Sequence, residues 1–377
     1  MSDPRSNDQY DWLYGKPQQP DAPTAQQASA PRGGGSDLPP PNLPPPGRRR
    51  PSGGDRPPRR SGSRRSSWRT IKLVLLVWIV FLAAVPVWAW SRIDRVDAEP
   101  AGERPGDQPG ITYLLVGSDS RKGLTAEQRA DLSTGNPEGA RTDTILLLHI
   151  GAGPSTLVSV PRDSIVPIRD VGTTKINAAY AVGGPKLLVE TLEQTTGVRI
   201  DDYVEIGFGG LVNLVDSVGG IEICPKEDVK DKDSGLDVKK GCQEADGKTA
   251  LAYSRNRHSF TTQDIERVQN QREVIGATGA ALRSPWTVIN PARYFSVGKG
   301  GSESLTIGEN VGPISLARFA LSLSSVMGGK GLNCTVPLAD FSVRWDRERA
   351  LQFFELIKTD RTAQLDDLCT KDGLPKS

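Results

Sequence analysis

Residues 144–150 read TILLLHI, and two similar apolar runs lie nearby, ITYLLVG at residues 111–117 and STLVSV at residues 155–160. Each run is short, continuous and bounded by glycine, proline or polar residues, a pattern that favours buried β-strands. Asp201–Phe208 and Ile221–Cys224 predict two further strands. The spacing of apolar residues predicts helices within Pro185–Thr196, Leu211–Val218, Ala245–Arg255, Thr262–Arg283, Leu316–Met327 and Arg347–Thr359. This alternation predicts an α/β fold around one central sheet.

An uncharged apolar stretch, Leu73–Trp90, precedes these elements, and Ile71 and Lys72 extend it at its start. At about 1.5 Å per residue, a helix over residues 71–90 spans the roughly 30 Å of hydrocarbon in a bilayer. Because a long segment, residues 1–70, precedes it, a cleaved signal peptide fits poorly. We therefore predict that residues 71–90 form a single transmembrane helix that acts as a signal anchor.

Residues 1–70 differ from the rest of the chain in composition and charge. They contain 14 of the 29 prolines, and 12 Lys and Arg against 6 Asp and Glu. Since few apolar side chains are available to offset chain entropy, we predict a disordered, basic, Pro- and Gly-rich tail, which serves either as a docking segment or as a spacer. The positive-inside rule places this tail in the cytoplasm and residues 91–377 outside the cell.

Charge also limits the partners of the folded part. With Lys72 the tail carries a net charge of +7, and because the whole chain sums to +2, the residues after Lys72 sum to −5. A uniformly basic nucleic-acid binder is therefore excluded, and we expect no nucleic acid partner. We divide the remainder into a linker at residues 91–110, one domain at residues 111–330 and a C-terminal extension packed on it at residues 331–377.

All four cysteines follow the predicted membrane helix, which agrees with an oxidising compartment. Three pairings are possible, and we favour the local one, Cys224 with Cys242 and Cys334 with Cys369. The first bridge would close a charged loop that shows little sign of regular structure. Both bridges are expected to be structural.

Several common catalytic motifs are missing from the sequence. The GKT at residues 247–249 lacks the glycine that a phosphate-binding loop needs five residues earlier, where Cys242 stands. The two histidines, His149 in an apolar strand and His258 in a polar loop, leave little material for a Ser-His-Asp triad or a zinc site. We expect His149 to be a core residue.

Aspartates and arginines stand at the ends of three predicted strands, in GSDSR at residues 117–121, ARTD at 140–143 and PRD at 161–163. In an open α/β sheet, residues just beyond the strand ends converge on a shared crevice. Asp119 and Asp143 would then lie close together and suit Mg²⁺ (or Mn²⁺), whose coordination is completed by substrate phosphates. The alternative is that each aspartate caps a turn or pairs with a neighbouring arginine.

A second polar group is expected in LAYSRNRHSFTTQDIERVQNQREVI at residues 251–275. Arg255 and Arg257 alternate, so they point the same way in an extended segment. Asp264, Arg267 and Gln271 share one face of the following helix, which is the inverse of a core face. Arginines that converge on one crevice bind phosphate oxygens in two-pronged fashion, whereas a solvated, salt-bridged surface is the alternative.

Together these motifs resemble the LytR-CpsA-Psr family of bacterial envelope proteins, in its actinobacterial form. The resemblance covers residues 111–283 and rests on YLLVGSDSR, ARTDTILLLHI, LVSVPRD, KINAAYAVGGP, DDYVEIGFGGLVNLVDSVGGIEI, and LAYSRNRH with DIERVQNQREVI. It implies a central mixed β-sheet flanked by helices. It also implies a membrane-anchored phosphotransferase that moves a glycopolymer from a polyprenyl-pyrophosphate carrier to a peptidoglycan sugar hydroxyl, forms a phosphodiester link and releases polyprenyl phosphate. Its implied partners are the lipid-linked polymer, the peptidoglycan acceptor and membrane lipid.

Carried over to this sequence, the resemblance assigns roles to individual residues. Asp119 and Asp143 are implied metal ligands. The implied pyrophosphate-binding residues are Arg141, Arg162, Lys175, Asn177, Arg255, Arg257, Arg267 and Gln271. The implied catalytic residues are Arg141, Arg255, Arg257 and Asp264.

Some features of the implied reaction rest on position alone. Asp163 or Asp264 is a candidate base for the acceptor hydroxyl, and Leu187–Leu192 and Leu211–Val218 are candidates for an apolar groove that holds the lipid. The alternative, at least as strong for any single residue of these helices, is an ordinary core that covers the sheet. Two other functions stay open. One is a pyrophosphatase that acts on the same lipid with water in place of the sugar hydroxyl, and the other is a noncatalytic envelope anchor or regulator.

Overall fold

The protein is described by a computed structural model that covers residues 64–119, 142–231, 234–256, 263–340 and 343–375, with the backbone alone at residues 64–67 and 263–268. Residues 1–63 of the predicted tail lie outside these ranges. The first described element is α1 (Arg64–Trp90), which begins seven residues before the predicted membrane span. Among the described helices, α1 is the one that is long and apolar enough to cross a membrane, over Trp68–Trp90.

The centre of the fold is a sheet that has seven strands in the described residues. The strands are β1 (Asp94–Val96), β2 (Ile111–Ser118), β3 (Thr142–Ile150), β4 (Thr156–Val160), β7 (Asp202–Gly207), β12 (Leu305–Gly308) and β13 (Leu332–Thr335). Their order in the sheet is β1-β12-β7-β2-β3-β4-β13. Antiparallel pairing joins β2 to β3, β3 to β4 and β7 to β12, whereas β2 and β7, β1 and β12, and β4 and β13 run parallel. The predicted α/β class with a central mixed sheet is confirmed.

In the described part of the chain, three small antiparallel pairs lie outside the central sheet. They are formed by β5 (Ile165–Ile168) with β6 (Gly172–Lys175), β8 (Ile221–Ile223) with β11 (Gln243–Ala245), and β9 (Val229–Asp231) with β10 (Leu236–Val238). The helices that follow α1 are α2 (Asn177–Thr196), α3 (Phe208–Ser217), α4 (Gly247–Arg255), α5 (Gln263–Leu282), α6 (Pro285–Ile289), α7 (Pro291–Ser304), α8 (Pro313–Ser325) and α9 (Arg347–Lys358).

Helices cover both faces of the central sheet, which is why its middle strands are continuous apolar runs. On one face, Leu114 and Val158 pack with Leu188 of α2 and Phe353 of α9. We call this the closed face. On the opposite face, Leu115 and its neighbours pack with side chains of α8 and α5. The sheet therefore sits at the middle of three layers.

Two predicted boundary segments contribute strands to the sheet. The predicted linker at residues 91–110 contains β1, which pairs with β12 at one edge. The predicted C-terminal extension contributes β13, which pairs with β4 at the other edge. Both strands are short, and their few apolar residues explain why the sequence pattern does not reveal them.

A buried arginine fastens the C-terminal extension to the sheet. The Nη2 atom of Arg272 in α5 donates hydrogen bonds to Ser159 Oγ at 2.6 Å, to Thr335 Oγ1 at 3.0 Å and to the Cys334 carbonyl at 3.1 Å. Burial lowers the pKa of this guanidinium to about 10. The contacts join α5, β4 and β13 in one polar cluster.

The disulfide pairing is Cys224–Cys242 and Cys334–Cys369, as predicted. The loop inside the first bridge differs from the prediction, because it holds the β9–β10 pair. Val229, Leu236 and Val238 are buried in that loop. Its many charges mask an alternation of buried and exposed positions that is typical of a half-buried hairpin.

His149 is a core residue, as predicted, with only 1% of its surface exposed. Its Nδ1 atom lies 2.9 Å from Thr112 Oγ1, and its Nε2 atom lies 3.2 Å from Asp360 Oδ1. Burial lowers the pKa of the imidazole, although the neighbouring Asp360 acts in the opposite direction. The ring therefore ties the far end of the β2–β3 pair to the residues after α9.

Candidate active site

A cavity of about 440 Å³ opens beyond the ends of the central strands. The carboxyl ends of β2 and β7 and the start of β3 form its floor, and helices α3, α4 and α5 form its walls. This is the position at which ligands enter open α/β sheets. The cavity lies on the face of the sheet opposite the closed face.

Five of the predicted site residues line the cavity: Asp119, Asp143, Arg162, Arg255 and Gln271. They come from the strand ends and from α4 and α5, so the fold brings together residues that lie far apart in sequence. Their proximity meets the geometric expectation of the sequence analysis. Their assignment to metal and pyrophosphate stays a prediction.

Arg162 is oriented by carboxylates on two sides. Its Nη1 atom donates to Asp143 Oδ1, and its Nε atom lies 3.5 Å from Asp163 Oδ2. The other oxygen of Asp163 lies 2.8 Å from Lys175 Nζ. Charges thus alternate along the row Asp143, Arg162, Asp163 and Lys175, which fixes the guanidinium at the edge of the cavity.

Arg255 and Gln271 reach the cavity from its helical walls. Arg255, in the last turn of α4, places its guanidinium carbon 4.9 Å from the centre of the Phe208 ring. Such stacking holds the planar group while leaving its edge able to donate hydrogen bonds. The Oε1 atom of Gln271 accepts a hydrogen bond from Thr144 Oγ1 at 2.9 Å, so the amide is anchored to the start of β3.

Two other predicted residues lie behind this row. Lys175 is 57% exposed and acts on the site through Asp163. Asn177 begins α2, and its backbone N–H donates to the Arg162 carbonyl at 3.2 Å. Arg141 and Arg257 lie outside the described residues, as do the side chains of Asp264 and Arg267.

The remaining wall of the cavity is apolar. It is formed mainly by Leu115, Ile206, Phe208, Leu211, Leu251, Val274 and Ile275. The predicted lipid groove along Leu187–Leu192 is wrong, because Leu188 and Leu192 are fully buried in the core of the closed face. Of the second predicted segment, Leu211 lines the cavity, whereas Val215 and Val218 belong to a separate core cluster.

Glu205 of β7 is a buried carboxylate that the sequence analysis did not select. It accepts hydrogen bonds from Ser118 Oγ at 2.6 Å, from the Tyr180 hydroxyl at 2.7 Å and from the Tyr203 hydroxyl at 2.7 Å. Burial, reinforced by the negative charge of Glu205, raises the pKa of both phenols, so they stay protonated and donate. Since Ser118 directly precedes Asp119, this network holds the backbone from which Asp119 enters the cavity.

Asp231 and Ser234 are two further cavity residues without an individual prediction. They lie at the turn side of the β9–β10 pair, and Ser234 Oγ donates to Asp231 Oδ2 at 2.8 Å. The Cys224–Cys242 bridge closes the segment that carries them. In the sequence, Glu205 stands out only as a carboxylate within an apolar run, and Asp231 and Ser234 only as small polar residues between two cysteines. Neither pattern identifies a site residue unless the fold is known.

The chain is similar in sequence to known proteins. A family model described as the LytR_cpsA_psr family matches residues 92–300. The "Probable cell wall biosynthesis protein LcpB" of Corynebacterium glutamicum is 46% identical over 275 residues, which are 72% of this chain and 65% of that protein. A "Polyisoprenyl-teichoic acid--peptidoglycan teichoic acid transferase TagU" of Oceanobacillus iheyensis is 30% identical over 213 residues, 54% of this chain and 59% of that protein. The matches therefore span less than two thirds of each relative.

A solved structure shows the same fold. The "LytR-Csp2A-Psr enzyme from Actinomyces oris" superposes with a TM-score of 0.57 at 22% sequence identity, and the match covers 71% of this chain and 96% of that one.

Proposed function

Because the chain belongs to the LytR-CpsA-Psr family, we propose that it is a membrane-anchored phosphotransferase that transfers a glycopolymer from a polyprenyl-pyrophosphate carrier to a peptidoglycan sugar hydroxyl. The observation that carries the proposal is the double character of the cavity. The cavity is lined both by arginines and aspartates and by aliphatic and aromatic side chains. A lipid pyrophosphate has the matching two parts, a multiply charged group joined to an apolar chain.

The two described arginines of the cavity support the binding of the pyrophosphate. Arg162 and Arg255 reach the cavity from two different elements, so both could contact the diphosphate. Guanidinium groups bind phosphate oxygens through paired hydrogen bonds, and the low dielectric of the cavity strengthens them. Gln271 and Thr144 add neutral hydrogen-bonding groups to the cavity lining.

The two aspartates support a role for Mg²⁺ (or Mn²⁺). Asp119 and Asp143 both line the cavity, and carboxylate oxygens are the donors that these ions prefer. We propose that these two side chains hold the ion, which would neutralise charge on the bound diphosphate. Glu205 would then act as a positioning residue for Asp119, through Ser118.

The reaction proposed for this site is a single displacement at phosphorus. The oxygen of the acceptor hydroxyl forms a bond to the polymer-proximal phosphorus, and the bond from that phosphorus to the bridging oxygen breaks. The departing polyprenyl phosphate keeps the electron pair, and the hydroxyl proton passes to solvent or a base. Arg162 and Arg255 would stabilise the charge that develops on the leaving phosphate.

Asp163 fits a positioning role better than the role of proton acceptor. Its two carboxylate oxygens are held by Arg162 Nε at 3.5 Å and by Lys175 Nζ at 2.8 Å. A carboxylate engaged by two cations orients them. In this proposal Asp264 or solvent would accept the proton.

The membrane topology forms part of the proposal. We propose that α1 anchors the chain in the cell membrane, with the basic tail in the cytoplasm and the cavity-bearing domain outside. The length and apolar composition of α1 support a single span, and the two disulfides support an oxidising compartment for the domain. In this topology lipid donor and peptidoglycan acceptor are both within reach of the cavity.

The test is an assay of the purified full chain with a polyprenyl-pyrophosphate-linked glycan and peptidoglycan oligomers. We expect coupled product in the presence of Mg²⁺, and Arg255→Ala should lower kcat/KM by about 10- to 150-fold because one charged phosphate contact is lost. Arg199→Ala is the matched control, since Arg199 donates to the Pro105 carbonyl outside the cavity.

The products separate the candidate functions. If phosphorylated glycan is released without coupling to peptidoglycan, the activity is that of a pyrophosphatase and not of a transferase. If the donor binds without any turnover, the protein is a noncatalytic anchor and neither enzyme activity is correct. If the Arg255→Ala and Arg199→Ala variants are equally active, the cavity is not the site of the reaction.

A further inference from the structure

The surface beside α1 presents apolar side chains that the cavity does not use. Trp286, Val288 and Ile289 of α6 and Phe295 of α7 are between 43% and 61% exposed. The stretch SPWTVINPA at residues 284–292 contains no charged residue, and arginines stand immediately before and after it. An exposed apolar patch with a basic border is typical of segments that lie in a membrane interface.

Helix α7 packs along the outer half of α1. The Tyr294 hydroxyl donates to the Leu82 carbonyl at 2.8 Å. One turn later, a Cβ atom at Gly298 would lie only 2.6 Å from Val85 Cγ1, so the glycine permits close approach of the two helices. The start of α7 thus contacts α1 between Leu82 and Trp88.

The tryptophans of α1 give the depth of this contact. Trp88 stacks on Phe295 at 5.2 Å, and Trp90 lies under the guanidinium of Arg95 at 4.8 Å. Tryptophans beside arginines are expected at the outer interface. Leu82 lies eight residues before Trp90, about 12 Å along the helix, and half of the hydrocarbon layer is about 15 Å thick. The contacts of α7 with Leu82, Val85 and Trp88 therefore lie in the outer half of the span.

We propose that residues 284–304, the outer-leaflet segment, enter the outer half of the bilayer beside α1 and hold the domain against the membrane. This inference rests on the membrane span of the proposed function. The partner is lipid, because Trp286, Val288 and Ile289 match acyl chains, and Arg283 and Arg293 match anionic headgroups. Continuity with α1 favours lipid over a second protein surface.

The outer-leaflet segment also connects the membrane to the walls of the cavity. Gly210 of α3 lies directly against Ser304 of α7, and α3 contributes Phe208 and Leu211 to the cavity. On the other side, α6 follows α5 after two residues, and α5 lines the cavity as well. A lipid substrate would thus move from the outer leaflet toward the cavity along two helices that are fixed to the membrane.

The experiment uses the full chain in phosphatidylcholine vesicles that contain phosphatidylglycerol. All four native cysteines are in disulfides, so a cysteine introduced by Val288→Cys is labelled selectively with an environment-sensitive NBD dye. Emission is measured with quenchers carried on lipid acyl chains and, separately, with aqueous iodide. Val80→Cys in α1 reports the span itself. Leu351→Cys, which is 62% exposed on α9, is the matched surface control.

We expect acyl-chain quenchers to reduce emission from positions 288 and 80 about twofold or more, and iodide alone to quench position 351. Iodide quenching at position 288, or shielding from both quenchers as a second protein copy would cause, overturns the outer-leaflet segment. Lipid quenching at position 80 but not at position 288 would overturn the outer-leaflet segment and leave the membrane span of the proposed function intact. Absence of lipid quenching at both positions overturns the span, and this inference with it.

Discussion

The two faces of the central sheet are built from the same strands but differ in how they are filled. On the closed face, Leu114 and Val158 meet Leu188 and Phe353, all of them fully buried. On the opposite face, the wall beyond Leu115 opens into a cavity of about 440 Å³. A cavity forgoes packing contacts and thereby reduces stability. The closed face stabilises the fold, and the opposite face carries the site.

The same truncation on the two faces gives the largest expected contrast. Leu188→Ala removes a fully buried side chain of α2, and we expect a loss of about 2–5 kcal/mol in the free energy of unfolding. Leu211→Ala removes a half-buried side chain that already borders the cavity, so the loss should stay below about 1.5 kcal/mol. Unfolding of the full chain in detergent, followed by circular dichroism, measures both. Equal losses would mean that the cavity wall is packed as tightly as the core.

This difference also explains how much of the fold could be predicted from the sequence. The runs at residues 111–117 and 144–150 fix the middle strands because their apolar content is a local signal. Leu188 and Leu211 are equivalent as apolar residues of predicted helices, yet one fills a core and the other borders a cavity. That distinction depends on the tertiary contacts of each helix with elements that are distant in sequence. The same holds for edge strand β1, whose sequence DRV has one apolar residue.

The candidate site divides in the same manner. Asp119, Asp143 and Arg162 follow or precede apolar strands, and strand ends converge in any sheet of this class. Glu205 lies within a strand, and its role depends on Tyr180, which reaches it from another element. Sequence patterns therefore indicate groups at strand ends, whereas the groups that position them require the three-dimensional contacts.

Glu205 joins the two faces, because it accepts hydrogen bonds from tyrosines of the closed face and from Ser118 at the cavity. We expect Glu205→Gln to lower the free energy of unfolding by about 1–3 kcal/mol, since a charged acceptor of three hydrogen bonds is lost. Glu190→Gln is the matched control, because Glu190 is a buried carboxylate of α2 that pairs with Arg169 at 2.9 Å away from the cavity. Both variants should lose stability.

The two glutamate variants should differ in their response to Mg²⁺. Glu205→Gln should need a higher Mg²⁺ concentration for half-maximal transfer, because Ser118 and thus Asp119 lose their fixed position, whereas Glu190→Gln should keep the wild-type value. An Mg²⁺ titration of the transfer rate at a temperature where both variants are folded makes this measurement. An unchanged requirement in Glu205→Gln would reduce its role to stability alone.

Filling the cavity should separate stability from activity. Leu211→Trp places a larger apolar side chain in the cavity wall, and we expect the free energy of unfolding to rise or stay within about 1 kcal/mol of wild type. Donor binding should weaken, because the lipid chain and the indole compete for the same volume. Binding of a fluorescent lipid pyrophosphate, measured beside thermal unfolding, gives both quantities. Tight binding by a stable Leu211→Trp variant would place the lipid elsewhere.

The smallest expected effect is a pH dependence at the far end of the β2–β3 pair, where the packing is closed. Burial lowers the pKa of His149 below its usual value of about 6.5, so the folded protein binds a proton there less readily than the unfolded chain. As pH falls through the unfolded pKa, the unfolded state gains a proton that the folded state does not, and stability decreases. The contribution of His149 is therefore complete above about pH 7 and declines below it.

The measurement is the free energy of unfolding between pH 7 and pH 5, compared with a His149→Gln variant that does not titrate. Asp201 and Asp202, whose carboxyl pKa values are raised by burial, act in the opposite direction, because their contribution is lost as pH rises. They are present in both proteins, so the difference between the two curves isolates the histidine. Wild type should lose more stability on acidification than the variant. If it loses less, the pairing of a charged imidazole with Asp360 outweighs burial, and this end of the strand pair is a buried ion pair, not a closed neutral contact.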